Sequence, residues 1–307
     1  MTSSPSISVV IPTRDRPDDL QRCLESLTRV AYSRWNVLVV DQSDSARTRE
    51  VADGFAAALP YLRYGRPGHT GLCRARNEGI AGTDGEVVAF LDDDCTVEED
   101  WLQEIAHAFA RYPGAALVFG TVEAAPHDPR VSFVIAHEIR EERAVRGRAA
   151  ALRLGGIGAS MYLRRAAAER VGSFDPYLGA GSGHFSAADD DDYRYRALAA
   201  GYEVVETPSI TVCHHGMRDY EGGAASRLLR GYAQSNGGLH IKLLRCGDPF
   251  ALVLIARYAR SYLRAISLRN LVLRRGPSGA GQLALYLRGL AASFTLGVDR
   301  GRRVYKG

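Results

Sequence analysis

Three short apolar runs, each closed by a proline or an acid, restrict the fold more than any other feature of the chain. They are Ser6 to Pro12 (SISVVIP), Asn36 to Val40 (NVLVV) followed by Asp41, and Val87 to Leu91 (VVAFL) followed by Asp92, Asp93 and Asp94. Runs rich in β-branched residues, with no polar alternation, read as strands buried on both faces. Between the first two, Pro17 suits the first turn of a helix to about Leu27, whose Leu20, Cys23, Leu24 and Leu27 recur at helical spacing. Residues 45 to 59 predict a second helix and Tyr61 to Tyr64 a short third strand. Alternating strand and helix implies parallel pairing through right-handed crossovers, so the loops after the strands gather on one edge of the sheet. Acids that follow strands, Asp15, Asp41 and Asp92 to Asp94, are thereby expected to converge in one crevice at the carboxyl ends of the strands.

Adjacent carboxylates repel, and Asp92 to Asp94 make sense if a divalent cation with oxygen ligands sits among them. The competing reading is a helix start, because Thr96 followed by Glu98, Glu99 and Asp100 resembles an N-cap with an acidic first turn. Gly65 to Gly71 is a glycine-containing loop, and the short helix Leu72 to Glu78 carries Arg74 and Arg76. Basic side chains at a helix amino terminus suit a diphosphate. Neither GxGxxG nor GxxxxGK[ST] occurs, so the dinucleotide and P-loop readings lack their fingerprints.

Further along, Trp101 to Tyr112 reads as a helix, Ala115 to Glu123 as a strand, and Val131 to Arg148 as a solvated helix. Gly158 to Leu163 reads as a strand and Arg164 to Val171 as a helix. A glycine loop, residues 179 to 184, leads into Asp189-Asp190-Asp191-Asp192 at the start of a helix ending near Ala200, with Gly201 as its cap. Four acids there are favoured by the helix dipole, and the glycine hinge suggests a loop that orders over a ligand. Val204 to Thr207 and Ile210 to Cys213 are strand-like and deliver the chain to His214 and His215, either of which could ligate a metal.

Charge divides the 307 residues. Positions 221–307 carry 15 Lys and Arg against 3 acids, whereas positions 1–220 carry 24 against 32. The chain therefore reads as an acidic body, 1–220, and a basic extension, 221–307, of three helices over 223–245, 248–275 and 280–297. Arg257, Arg260 and Arg264 share one face of the middle helix, with Leu254, Ile255, Tyr258 and Tyr262 as apolar surface. Such a helix suits an anionic membrane surface, and equally suits packing on the body or on another subunit of a homo-oligomer. The acidic body argues against nucleic acid as a partner. Five scattered cysteines without a CxxC pair, no signal-like amino terminus and no apolar run of roughly 18 residues point to a cytoplasmic protein, peripheral at most to the inner face of a membrane.

Taken in order, VVIPTRDR (Val9 to Arg16), VLVVDQS (Val37 to Ser43), ARNEGI (Ala75 to Ile80), the Asp92-Asp93-Asp94 strand end, GSFD (Gly172 to Asp175), the second acid cluster with Tyr193-Arg194-Tyr195-Arg196, and the histidine pair resemble the family 2 glycosyltransferases. These are inverting enzymes with a GT-A fold, and the resemblance covers Ser6 to His215. It implies a mixed, mostly parallel sheet flanked by helices, and a nucleoside-diphosphate sugar as donor. Pro12, Thr13, Asp15 and Asp41 would hold base and ribose, Asp92 or Asp93 the ribose or sugar, and Arg74, Arg76 and Asn77 the diphosphate side. Asp94 and His214 would bind Mg²⁺ or Mn²⁺. With Arg196 at the family's arginine, Asp190 falls on the catalytic base and Asp189 on the acceptor-binding position. The family usually has Glu-Asp where this chain has Asp-Asp, which leaves Asp190 and Asp191 both open as base. The acceptor hydroxyl, on a glycan, a lipid-linked glycan or a small molecule, is not specified by any motif. A metal-dependent phosphohydrolase or nucleotidyltransferase uses the same residue types and stands as the competing activity, and a non-catalytic nucleic-acid-binding protein as the competing class.

Overall fold

The computed structural model describes residues 4–59, 61–266 and 279–306. In chain order, β1 (Ile7–Thr13), α1 (Pro17–Leu27), β2 (Trp35–Asp41), α2 (Arg47–Gly54), β3 (Leu62–Gly65), α3 (Leu72–Gly82) and β4 (Val87–Phe90) form a parallel α/β unit. Next come β5 (Cys95–Val97), α4 (Trp101–Arg111), β6 (Ala115–Ala124), β7 (Ser132–Val134) and β8 (Arg143–Arg146). They are followed by β9 (Met161–Arg164), α5 (Arg165–Val171), α6 (Asp189–Ala199), β10 (Glu203–His214) and β11 (Met217–Asp219). The extension holds α7 (Ala224–Arg245), α8 (Ala251–Ala265), α9 (Gly279–Ala292) and a hairpin of β12 (Gly297–Asp299) and β13 (Val304–Lys306). The part of the expected middle helix beyond 266, and the break at 276–278, lie outside the described residues.

The main sheet runs β3-β2-β1-β4-β9-β6-β10-β5, with β8 beside β10. β9 is antiparallel to both β4 and β6, while β6 and β10 run parallel, so the sheet is mixed as expected. The strand order reverses between β1 and β4, since β2 lies on one side of β1 and β4 on the other. The reversal sets the carboxyl ends of β1 and β4 side by side at the switch point, where open α/β sheets bind ligands.

Both faces of the sheet are covered. Val9, Ile11, Val87 and Ala89 point into a core with Leu20, Leu24 and Trp101 of α1 and α4. Val10, Val88 and Phe90, one residue out of phase, point into a second core with Phe174, Tyr193 and Leu243. The period-2 backbone sends alternate side chains to opposite cores, which is why the strands read as unbroken apolar runs. Helix α1 is anchored by Leu20, Cys23, Leu24 and Leu27, all buried, at about 1.5–3 kcal/mol for each large apolar side chain. Close packing of α3 on β1 requires Gly79, because a Cβ there would lie 2.2 Å from Val10 Cγ1.

Segment 131–148 departs from the expected helix. β7 pairs with β11, His137 bridges Val122, and β8 adds to β10 as an antiparallel edge. Its charges pair at a spacing of two, Arg140 with Glu138 and Arg143 with Glu141. That spacing puts partners on one face of an extended chain, and the open edge of β10 supplies hydrogen bonds that outweigh helix propensity. Residues 204–213 form one strand with a bulge between Glu206 and Thr211 rather than two strands. The last helix stops at Ala292, and the hairpin after it turns through Arg302, whose backbone N–H bonds Asp299 Oδ1 at 2.9 Å.

Candidate active site

A cavity of about 850 Å³ opens at the carboxyl ends of β1 and β4 and is closed on its far wall by the start of α6. Pro12, Thr13, Asp92, Asp93, Asp94 and His214 line one wall; Asp189, Asp190 and Asp191 line the other. Arg76 joins the two walls. Its guanidinium is buried, hydrogen-bonds Asp189 Oδ2 directly, donates to the Gly158 carbonyl at 3.2 Å, and lies 3.7 Å from Asp92 Oδ1. The rings of Phe90 and Phe174 flank it, each centroid 5.5 Å away, so the side chain has one place to sit. Burial pushes the Asp189 carboxyl up to about 6, although Arg76 acts against it.

The first acid cluster is split by its partners. Arg16, in the loop after β1, reaches Asp93 Oδ1 and Asp94 Oδ2, both at 3.1 Å. Burial nevertheless raises Asp93 to about 7, against the pull of Arg16 and with a smaller push from the neighbouring charge of Asp94. Asp94 behaves differently: burial acts to raise it, and His214 overcomes this and holds the carboxyl below its ordinary value. His214 arrives there because β10 pairs antiparallel with β5 in a register that sets His214 opposite Cys95.

His214 Nε2 lies 3.2 Å from Asp94 Oδ1, and Nδ1 is 2.8 Å from the Ile135 carbonyl. A carbonyl can only accept, so Nδ1 carries the proton, and in the neutral ring Nε2 is a bare lone pair facing a carboxylate. Asp94 raises the proton affinity of His214, so the space between these two atoms is filled either by a second ring proton or by a divalent cation that takes its place. With Cys95, ligand atoms of Asp94 and His214 lie within 4.8 Å of one another. Gly216 keeps the space open, since a Cβ there would stand 2.5 Å from Asp94 Oδ2 and 2.7 Å from His214 Nε2. The donor set, the ring held from behind by a carbonyl and the space kept clear by a glycine all fit a divalent cation. His215 does not join them: its ring bonds Thr96 Oγ1 at 3.0 Å.

In the second cluster each acid has a different neighbour. Asp191 is bound directly by Arg194, Asp192 is buried against Arg196 at 2.9 Å, and Asp189 is held by Arg76. Among the described residues Asp190 has no arginine partner in its hydrogen bonds; it accepts the Gly158 N–H at 2.8 Å and the Asp191 N–H at 2.8 Å, and it lines the cavity.

Several expected donor contacts sit elsewhere. Arg74 projects into a separate recess with Glu78 and Pro176, two positions before Arg76 and so on the other side of the helix. Asn77 lines that same recess, and its amide clamps the backbone of Phe174, with bonds of 2.9 and 2.8 Å, so it fixes the GSFD turn. Asp41 is fully buried and occupied by the Ser43 N–H and the Tyr64 hydroxyl. Asp15, at φ 56°, ties the loops after β1 and β2 through Ser43 and Asp44 and is not part of the cavity lining. Conversely, Arg14, Arg16, Gln42 and Arg218 line the cavity without having been singled out. Arg16 lies in the quoted VVIPTRDR segment, and Gly216 follows the histidine pair directly; Arg218 has no sequence signal beyond its charge.

A sheet with this reversal, a metal-capable acid–histidine pair and an opposing carboxylate cluster define a nucleotide-sugar transferase of the GT-A fold. Solved glycosyltransferases share the architecture: S. aureus TarS 1-349 in complex with UDP-GlcNAc superposes with a TM-score of 0.63 over 97% of this chain and 89% of that one, at 14% identity. The mannosyltransferase PcManGT from Pyrobaculum calidifontis, in complex with GDP-Man and Mn²⁺, gives 0.62 over 96% and 87%, at 17% identity. The family model for Glycosyl transferase family 2 matches residues 8–172, and the chain belongs to that family. Glycosyltransferase AglE of Haloferax volcanii is 30% identical over 227 residues, 70% of this chain and 68% of AglE. The succinoglycan biosynthesis protein ExoM of Rhizobium meliloti is 33% identical over 129 residues, 40% of this chain and 41% of ExoM.

Proposed function

We propose that this glycosyltransferase is metal-dependent and inverting, with Asp190 as general base and Asp94 with His214 as the cation site. The observation that carries the reading is the meeting of two acid clusters, nearly a hundred positions apart in sequence, on opposite walls of one cavity with Arg76 spanning them. Inversion needs the nucleophile and the leaving group on opposite faces of the anomeric carbon; one cluster supplies the base for the acceptor hydroxyl and the other the ligands for a cation beside the diphosphate. Asp190 removes the proton of the acceptor hydroxyl as its oxygen bonds the anomeric carbon, and the bond from that carbon to the diphosphate oxygen breaks. Of the two candidates for the base, Asp190 is favoured because Asp191 is neutralised by Arg194. Asp189, paired to Arg76, positions the start of α6, and Arg16 and Arg218 place positive charge on the donor side. A bound divalent cation supplies Lewis-acid stabilisation of the departing nucleoside diphosphate.

The test is a panel of UDP-, GDP- and dTDP-sugars with Mn²⁺. Release of nucleoside diphosphate supports the transferase reading, and release of sugar phosphate would replace it with a hydrolase. Asp190→Asn should reduce transfer by about 10²–10⁴-fold while leaving donor affinity within a few fold; full activity in this variant rejects the base. His214→Gln should raise the Mn²⁺ concentration for half-maximal rate by about 10-fold or more, and an unchanged metal requirement rejects the cation site.

A further inference from the structure

The cavity does not end at Asp190. Past Arg194 it continues into a chamber walled by Leu152 and Leu154 of the 148–158 segment, Leu239 and Leu243 of α7, and Leu254 and Tyr258 of α8. Leu154, Leu239, Leu243 and Leu254 are buried from solvent yet face this space. Protein interiors pack to the density of organic crystals, so apolar side chains left facing a continuous void forgo contacts that a ligand can restore. Polar groups on this part of the lining are Asn236, His240, the hydroxyls of Tyr232 and Tyr258, and Arg194 and Arg257 at the rim, and among the described residues the buried Asn236 Oδ1 has no hydrogen-bond partner. The leucine-walled chamber and Asp190 belong to one continuous cavity.

The outer side of the same wall has a matching character. Arg257 of α8 both lines the cavity and is exposed, so the chamber opens beside that helix. Leu252, Val253 and Leu263 of α8 are exposed, next to Arg257, Arg260 and Arg264, and residues 249–298 contain no Asp or Glu. An apolar surface flanked by arginines and free of acids suits the boundary of an anionic bilayer.

We infer that the acceptor is an amphiphile, its hydroxyl-bearing head at Asp190 and its apolar tail in the chamber formed by the 148–158 segment with α7 and α8. This rests on the reading of Asp190 as the base and adds the chemical class of what it deprotonates. The tail belongs either to a lipid held in a membrane or to a soluble compound with an apolar aglycone. The two sources share the chamber and differ in whether α8 must meet a bilayer.

The probe is a ladder of n-alkyl β-glucosides, methyl to octyl, titrated into the full chain with UDP and Mn²⁺ below their micellar concentrations. Affinity should tighten by about 4-fold per methylene until the chamber is full and then level off. Ala151→Phe, which fills the chamber, should move the plateau to shorter tails, and Leu254→Ala should move it to longer ones. Equal affinity for methyl and octyl glucoside overturns the inference. So does a ladder identical in wild type and both variants, because the tails would then bind on an exposed surface. If Ala151→Phe does not fold, Leu254→Ala carries the same decision. Sedimentation with vesicles separates the sources: binding to phosphatidylcholine mixed with phosphatidylglycerol but not to phosphatidylcholine alone supports the chamber with a lipid tail, and no binding to either, with the ladder intact, supports it with a soluble aglycone. A failed ladder beside metal-dependent donor cleavage removes the acceptor class and leaves the transferase reading standing. An intact ladder beside a wild-type rate in Asp190→Asn does the reverse.

Discussion

Lys242 is the residue whose loss should reveal how the extension is joined to the catalytic sheet. Its ammonium is fully buried on α7, 2.8 Å from Asp175 Oδ2 and 2.7 Å from Asp192 Oδ1, and both carboxylates are fully buried as well. Lys242→Met keeps most of the side-chain volume and removes the charge. Asp192 retains Arg196 at 2.9 Å and remains compensated. Among the described residues Asp175 retains neutral donors alone, the backbone N–H groups of Tyr305 at 2.9 Å and Tyr177 at 3.0 Å. The stranded charge is therefore Asp175, and breaking a buried pair in this way costs about 3–5 kcal/mol. Urea unfolding followed by circular dichroism measures it as a shift in midpoint at constant slope. Asp175→Asn in the same background removes the stranded charge, so Lys242→Met/Asp175→Asn should recover about 2–3 kcal/mol relative to the sum of the single changes. A loss under about 1 kcal/mol for Lys242→Met, or simple additivity in the double variant, would refute the claim that this triad fixes α7 against the GSFD turn and α6.

Two further outcomes follow from groups away from the reacting atoms. His240 is buried on α7, and burial pushes its imidazole down to about 3 while Nδ1 bonds the Tyr286 hydroxyl at 2.7 Å. Between the unfolded value of about 6.5 and the folded value of about 3, the unfolded chain binds the extra proton, so stability falls as pH falls through this window, by at most about 1.4 kcal/mol per pH unit, and is unaffected above it. His240→Gln should flatten that part of the stability–pH curve relative to wild type, measured by urea unfolding at intervals from neutral pH downward; parallel curves contradict the assignment. Gly79→Ala should destabilise by about 1–3 kcal/mol or more in thermal unfolding, because the added methyl meets the branched side chain of Val10 on a buried strand; wild-type stability in that variant contradicts the close approach of α3 to β1.

The elements that could be read from sequence are those whose signals are local. β1, β2 and β4 announce themselves because a strand buried on both faces must be apolar at every position. Helix α1 does so because one face must recur at a period near 3.6. Segment 131–148 could not be read this way: its conformation is set by the free edge of β10, a strand that comes some sixty positions later. The carboxyl-terminal hairpin was missed for a related reason, since Tyr305 is held by Phe185 and the Gly238 carbonyl, both remote from it in sequence.

The site divides along the same line. By itself the sequence determined the family's motifs, the strand-end acids Asp92 to Asp94, the acid cluster at the start of α6 and the late histidines, because residue type and order survive without coordinates. Only the tertiary structure decided which of these groups meet. The β5–β10 register turns His214 toward Asp94 and His215 toward Thr96. One step along α3 separates Arg76, locked between both acid clusters, from Asn77, which clamps the Phe174 backbone. The arginine partners of Asp189, Asp191 and Asp192 leave Asp190 as the cavity carboxylate that, among the described residues, is met by backbone N–H donors alone. Which of several adjacent carboxylates stays free depends on charges brought in from distant elements, and a linear pattern of like residues cannot encode that.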